Sequence, residues 1–227
     1  MTRKNKRSGR QPDRRPAKDT RQRPREIVTP DRYATAAFQL NNLIEKDEGA
    51  SVIGITSAEH NEGKTESVVM LGFAFASIFE YRVLIIDGDF RFSGLHQHFQ
   101  IGKAPGLTDL LSNRVSFENA ISRTSIEKLY VIPSGTTVSN PLSILVSKRL
   151  KSLIRHLSSQ FDVILFDTPP VLGYQDISLL SPLLDGVAVI AKAGQSTLPK
   201  LGSALSALNV ASVNVLGIIL TDVERKR

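Results

Sequence analysis

The stretch of sequence that decides the fold is Ser51-Val-Ile-Gly-Ile-Thr-Ser-Ala-Glu-His-Asn-Glu-Gly-Lys-Thr65. Its first half is an apolar, β-branched run that predicts a buried strand, and Gly63-Lys64-Thr65 leads into a helical pattern. Backbone N–H groups at the start of a helix, together with the helix dipole, attract phosphate oxygens. The stretch therefore predicts a strand, a phosphate-binding loop and a helix in direct succession.

The loop resembles the Walker A pattern G-x4-G-K-[ST], with Ala58 at the place of the first glycine. Lys64 is expected to reach the β- and γ-phosphates of ATP, and the Thr65 hydroxyl is expected to bind Mg²⁺. Asn61 can adopt the left-handed backbone that such a loop needs. The expected nucleotide-binding residues are Ala58, Asn61, Glu62, Gly63, Lys64, Thr65 and Glu66.

Two further apolar runs end in acidic residues. The run from Val83 leads into Asp87-Gly-Asp89-Phe-Arg91, and the run from Val163 ends at Asp167 in a Walker B pattern. Side chains two apart in a strand point to the same side, so Asp87 and Asp89 can converge on one site. Because parallel-sheet sites lie at the carboxyl ends of strands, Thr65, Asp87 and Asp167 are the expected Mg²⁺-binding set.

Short apolar runs alternate with helical stretches along the rest of the chain, which predicts a doubly wound α/β fold with a mostly parallel sheet. Strands are expected at 51–56, 82–87, 129–133, 161–167, 186–191 and 213–220. Helices are expected at 31–46, 64–79, 141–158, 177–184 and 198–208.

The excess positive charge lies at one end of the chain. Residues 1–26 hold 11 Lys/Arg against 3 Asp/Glu, whereas the remaining residues carry a net charge of −1. We therefore expect a disordered basic tail over 1–28 and one folded domain over 29–227. The tail either adsorbs to an anionic membrane surface or only increases solubility. The folded part has no basic surplus, which argues against nucleic-acid recognition.

No cysteine is present, so disulfides and thiolate metal sites are excluded. The basic start is followed by more charge and by no apolar stretch long enough for a signal or a membrane span. The expected location is the cytoplasm, with any membrane role peripheral at the inner face of the cell membrane.

The Asp87-x-Asp89-x-Arg91 motif between the Walker A and Walker B patterns resembles the additional Walker motif of the bacterial tyrosine kinases (BY-kinases) of capsule and exopolysaccharide synthesis. These kinases belong to the deviant-Walker, MinD/ParA-like P-loop NTPases. The similarity runs from about Thr29 to Asp222 and includes Asp167-Thr-Pro-Pro170 and Asp176.

The resemblance implies transfer of the γ-phosphoryl group of Mg-ATP to tyrosine hydroxyls of protein substrates. It implies that Lys64, Asp87, Asp89, Arg91 and Asp167 are catalytic, with Asp89 assisting the tyrosine hydroxyl and Arg91 neutralising charge or holding the loop. It also implies activation by a membrane adaptor of the polysaccharide co-polymerase type.

The chain also departs from this family. It has no tyrosine after Tyr174, so as it stands a C-terminal tyrosine cluster is not available for autophosphorylation. The family's E-x2-R-x2-R helix aligns with Tyr33, Ala36 and Gln39, which argues against a ring built through that helix and leaves other homo-oligomers open. Tyr33 is a candidate acceptor for a neighbouring subunit.

Two alternatives to an active kinase stay open at this stage. One is a kinase-like, ATP-binding regulator of polysaccharide synthesis with little transfer activity. The other is a MinD/ParA-like positioning ATPase, although Glu59 stands where that group carries an additional lysine.

Overall fold

The computed structural model describes residues 31–44 and 49–223. The prediction of a disordered tail over 1–28, the last residues of the first predicted helix and the segment 224–227 lie outside the described residues. Among those described, no helix is long and apolar enough to cross a bilayer.

The described chain forms a seven-stranded sheet in the order β3-β4-β2-β5-β1-β6-β7. Its strands are β1 Ser51–Ser57, β2 Val83–Asp87, β3 Ser122–Arg123, β4 Leu129–Ile132, β5 Val163–Asp167, β6 Gly186–Lys192 and β7 Val215–Thr221. All neighbours pair in parallel except β3, which lies antiparallel to β4 at one edge. The predicted doubly wound, mostly parallel α/β fold is confirmed.

Helices cover both faces of this sheet. They are α1 Asp31–Leu43, α2 Lys64–Ile78, α3 Leu95–His98, α4 Leu107–Leu111, α5 Phe117–Ala120, α6 Pro141–Leu145, α7 Lys148–Ser158, α8 Asp176–Leu180 and α9 Leu198–Val210, with a 3-10 turn at Ser181–Leu183. The expected helix over 141–158 is two helices, because Val146 ends α6 and the Ser147 side chain caps α7 by accepting the Leu150 N–H at 3.1 Å.

Alternate residues of the central strands pack into two hydrophobic cores, one on each face of the sheet. On β1 and β2, Ile53 and Ile85 pack on the side of α1 and α2, while Val52 and Leu84 pack on the side of α6 and α7. The strands are therefore buried on both faces, which is why they are apolar without alternation. This burial leaves their carboxyl ends as the place where polar side chains can meet.

Candidate active site

The loop between β1 and α2 has the backbone that the phosphate-binding pattern predicts. Asn61 and Gly63 both adopt positive φ, at 63° and 84°, and Gly63 immediately precedes the 15-residue helix α2. Ala58 is 1% exposed and packs in the core beside Val171 and Ile177, so its methyl group is accommodated at the usual glycine position. Glu66 is exposed on the first turn of α2.

The loop is braced from the segment between β6 and α9. Glu62 is 2% exposed, and its Oε2 accepts the Glu59 N–H at 2.7 Å. The Ser196 hydroxyl donates to Oε1 of the same carboxylate, and the Gln195 side chain donates to the Asn61 carbonyl at 3.2 Å. Sequence analysis missed Gln195 and Ser196, because no local pattern marks residues that lie more than a hundred positions from their partners.

Lys64 lies in a buried, acidic environment. Its side chain is 8% exposed, and this burial lowers the pKa of its ammonium group. The nearby carboxylates of Asp167, Asp89 and Glu62 act in the opposite direction and raise the pKa. A buried ammonium at the N-terminus of a helix is suited to bind phosphate oxygens, which would supply further negative charge.

The acidic residues that end β2 and β5 are direct neighbours in the sheet. Asp87 and Asp167 are register partners, and both are almost fully buried, at 0% and 1% exposed. The Gly88 N–H donates to the Asp167 carbonyl at 2.8 Å, and a Cβ at Gly88 would lie 2.9 Å from that oxygen. Glycine at this position therefore allows the two strand ends to approach each other.

The Thr65 hydroxyl joins these two strand ends to the loop, because it donates to Oδ2 of Asp167 at 2.7 Å. Both carboxylate oxygens of Asp87 and Oδ1 of Asp167 are buried without a hydrogen-bond partner. Buried polar atoms normally have partners, and three such carboxylate oxygens close together fit the coordination of a cation.

Burial and mutual repulsion change the protonation of this acid pair. Burial raises the pKa of Asp167 to about 7, although the Thr65 hydroxyl and the Lys64 ammonium lower it. Burial raises the pKa of Asp87 well above its ordinary value, and the charges of Asp167 and Asp89 add to this effect. Two neighbouring carboxylates in a low-dielectric site ionise together only when a cation compensates them.

The chemistry of these groups fits Mg²⁺. Carboxylate and hydroxyl oxygens are the protein ligands that Mg²⁺ prefers, and it usually retains waters and binds substrate phosphates as well. Among residues 31–44 and 49–223, no group of three or more His, Asp or Glu side chains could hold a metal by itself.

Asp89 and Arg91 organise the turn after β2. Oδ1 of Asp89 accepts the N–H groups of Arg91 and Phe92, at 3.2 and 2.9 Å. The Arg91 guanidinium donates to Asp176 at 2.6 Å and lies over the Tyr174 ring, 4.8 Å from its centroid. Arg91 therefore ties the turn after β2 to the start of α8.

Tyr33 has a different environment from the one that sequence analysis suggested. It is 6% exposed in α1, and its hydroxyl shares a 3.1 Å hydrogen bond with Ser67 of α2. Burial raises the pKa of this hydroxyl. The suggestion that Tyr33 is offered to a neighbouring subunit is wrong, because the helix packing of α1 on α2 encloses the ring.

The chain is similar to known proteins over most of its length. Residues 50–193 match a family model described as an AAA domain. The tyrosine-protein kinase YwqD of Bacillus subtilis is 32% identical over 77% of this chain and 73% of its own length. The tyrosine-protein kinase ptk of Acinetobacter johnsonii is 38% identical over 63% of this chain, but the match spans only 20% of that protein.

Solved structures show the same fold. The kinase domain of the Escherichia coli tyrosine kinase ETK matches with a TM-score of 0.77 and 25% identity, over 86% of this chain and 77% of that one. MinD of Pyrococcus horikoshii, solved with Mg-ADP, matches with a TM-score of 0.61 over 74% of this chain and 69% of that one. Its 24% identity shows a likeness of fold alone.

Proposed function

The chain belongs to the bacterial tyrosine-protein kinases, with an AAA domain over residues 50–193, and on this premise we propose that it transfers the γ-phosphoryl group of ATP to tyrosine hydroxyls. The observation that carries the proposal is the convergence of Thr65, Asp87 and Asp167, with three buried carboxylate oxygens that lack partners. The shared fold of a MinD protein solved with Mg-ADP supports nucleotide binding at the loop before α2.

In this proposal the phosphate groups lie at the N-terminus of α2. Backbone N–H groups of the loop from Ala58 to Thr65 and the Lys64 ammonium bind the phosphate oxygens. Asp87, Asp167 and the Thr65 hydroxyl hold Mg²⁺, directly or through water. Mg²⁺, when bound with ATP, supplies positive charge that offsets the charge on the transferred group.

Asp89 acts on the hydroxyl of the acceptor tyrosine, and Arg91 supports Asp89. The acceptor oxygen forms a bond to the γ-phosphorus, the bond from that phosphorus to the ADP oxygen breaks, and the hydroxyl proton passes to Asp89. The N–H groups of Arg91 and Phe92 both donate to Oδ1 of Asp89, so Oδ2 is the oxygen that accepts the proton. Arg91 keeps this turn in place through Asp176.

We place this activity in the control of capsular or extracellular polysaccharide synthesis and export, as the resemblance of the sequence implies. A membrane adaptor of the polysaccharide co-polymerase type is the proposed activator, and the basic tail over 1–28 would add attraction to an anionic membrane surface. This arrangement locates the kinase at the inner face of the cell membrane.

The test is phosphotyrosine formation on a random Glu–Tyr copolymer with labelled Mg-ATP, for the wild type and Lys64→Met. We expect the variant to lose at least about a hundredfold in rate, because it removes the phosphate-binding ammonium from a pre-organised site. Lys128→Met is the matched control, since Lys128 forms an ion pair with the exposed Glu80 at 3.3 Å. Exposed ion pairs contribute little, so this control should keep full activity.

The alternatives predict other outcomes. Nucleotide binding without phosphotyrosine would favour a regulator with little transfer activity, and rapid ATP hydrolysis without transfer would favour a positioning ATPase. Against the latter, Glu59 forms an ion pair with Lys200 at 2.6 Å at the outside of the loop and supplies no positive charge to it.

A further inference from the structure

Three aromatic side chains meet where the proposed site opens, and each follows a different one of three adjacent strands. His60 follows β1, Phe92 follows β2 and Tyr174 follows β5. The ring centroids lie 4.5 Å apart for His60 and Phe92, 5.6 Å for His60 and Tyr174, and 6.2 Å for Phe92 and Tyr174. All three pairs are edge-to-face, which is the favoured arrangement of aromatic rings.

Phe92 is the exposed member of this aromatic cluster, with 56% of its surface accessible. Its backbone N–H donates to the Asp89 carboxylate at 2.9 Å. Two residues further on, the backbone at Gly94 lies close to the first turn of α2, since a Cβ at Gly94 would lie 3.6 Å from Cγ2 of Thr65. The Phe92 ring therefore extends from a turn that touches both the proposed proton acceptor and a proposed Mg²⁺ ligand.

The other two rings give Phe92 a fixed support. Tyr174 is half-buried beneath the Arg91 guanidinium, which is itself anchored to the fully buried Asp176. His60 is held by the phosphate loop, and its ring contacts both neighbours edge-on. An exposed ring on such a support offers a rigid aromatic surface at low entropic cost.

We propose that the exposed face of Phe92, with the edge of His60, binds the phenol ring of the acceptor tyrosine of another polypeptide. The proposal rests on the proposed kinase activity and adds the site at which the acceptor enters. Because the Phe92 N–H donates to the Asp89 carboxylate at 2.9 Å, a tyrosine ring bound by Phe92 is held at the same turn as the proposed proton acceptor. The aromatic surface thus selects tyrosine over serine and threonine, whose side chains have no ring to pack.

The tyrosines of this sequence are engaged elsewhere and do not fit this role. Tyr33 is enclosed between two helices, Tyr81 stacks on a neighbouring phenylalanine at 5.5 Å, and Tyr130 packs against Phe161 at 5.5 Å. Tyr174 forms part of the surface itself, with one face covered by a guanidinium group. None of these four tyrosines is therefore placed as the acceptor ring on the exposed face of Phe92 within the same molecule.

The experiment measures the KM of the Glu–Tyr copolymer and the KM of ATP separately, for the wild type, Phe92→Ala and Phe92→Trp. We expect Phe92→Ala to raise the copolymer KM at least about tenfold without changing the KM of ATP, and Phe92→Trp to restore it. Phe38→Ala is the matched control, since Phe38 on α1 is 57% exposed and lies outside the aromatic cluster. This control should leave both constants unchanged.

Three results would overturn the proposal while leaving the kinase activity established. The first is an unchanged copolymer KM in Phe92→Ala, and the second is a rise in the KM of ATP equal to that of the copolymer KM in the same variant. The third is loss of copolymer phosphorylation in Tyr174→Phe, a variant that keeps the ring but removes its hydroxyl. A wild-type protein that transfers no phosphate to tyrosine would instead contradict the proposed function itself. Melting temperatures of all variants separate these outcomes from misfolding.

Discussion

In the protein without ligands, the burial of Asp167 favours its protonated form, whereas metal binding would require its ionised form. Its carboxyl group is 1% exposed and adjacent to Asp87, so burial raises its pKa to about 7. Binding of Mg²⁺ requires the same group to be ionised. In the proposed site a bound cation would compensate both acids, and without one their burial weakens the fold.

The raised pKa predicts how stability depends on pH. The folded chain binds the Asp167 proton more tightly than the unfolded chain, so the contribution of Asp167 to stability in EDTA is fully present below about pH 4 and is lost as pH rises to about 7. Asp167→Asn carries no charge at any of these pH values, so we expect a flatter profile and, at pH 8, a gain of roughly 1–4 kcal/mol. Thermal melts between pH 5 and 8.5 measure this difference.

The wild type and Asp167→Asn share every other titrating group, so the difference between their profiles reports the Asp167 carboxyl group together with its effect on the pKa of Asp87. Parallel profiles would show that Asp167 is already ionised at pH 5 in the folded protein. Adding Mg-ATP should raise the melting temperature of the wild type more at pH 8 than at pH 6, because fewer protons must then leave the acid pair.

At the scale of elements, the loop before α9 supports the phosphate loop. Glu62 is a buried carboxylate of the loop before α2, and it accepts the Glu59 N–H at 2.7 Å. The Ser196 hydroxyl donates to the same carboxylate. Because α9 follows directly, its position and the shape of the phosphate loop are coupled.

Ser196→Ala tests this coupling. Hydrogen bonds to charged groups contribute about 1.5–3 kcal/mol, and Glu62 keeps its bond to the Glu59 N–H, so we expect stability to fall by roughly 1–2 kcal/mol. The Kd of ATP should weaken several-fold, as measured by calorimetry. Ser203→Ala is the control, because that hydroxyl is exposed and donates to the Pro199 carbonyl within α9 at 3.0 Å. Equal ATP affinities in both variants would contradict the supporting role.

The elements differ in how well the sequence predicts them. The six long strand predictions agree with the structure to within two residues at each end, because strands buried on both faces are uniformly apolar. The short elements α3, α4, α5 and β3 were not predicted. Helices of four or five residues contain too little periodicity to be recognised, and they form here because neighbouring loops hold them.

For the whole molecule, the order of motifs along the chain predicted a common site, but the sheet order brings the site together. The strands β2, β5 and β1 are adjacent although they lie far apart in sequence, and this places Asp87 next to Asp167. Long-range contacts also explain why some contacts of the site could not be predicted from the sequence. The bond from Ser196 to Glu62 and the pair of Arg91 with Asp176 leave no local signal in the sequence.

The proposed kinase activity requires the acid pair to hold a metal ion against the nucleotide phosphates. The most direct test is therefore calorimetric measurement of the Kd of ATP with and without Mg²⁺, for the wild type and Asp87→Ala. We predict that Mg²⁺ strengthens ATP binding to the wild type at least about tenfold, a change of about 1.4 kcal/mol. Asp87→Ala should keep its metal-free affinity, since Lys64 and the loop remain, and should lose the gain from Mg²⁺. An equal gain in both proteins would contradict the account.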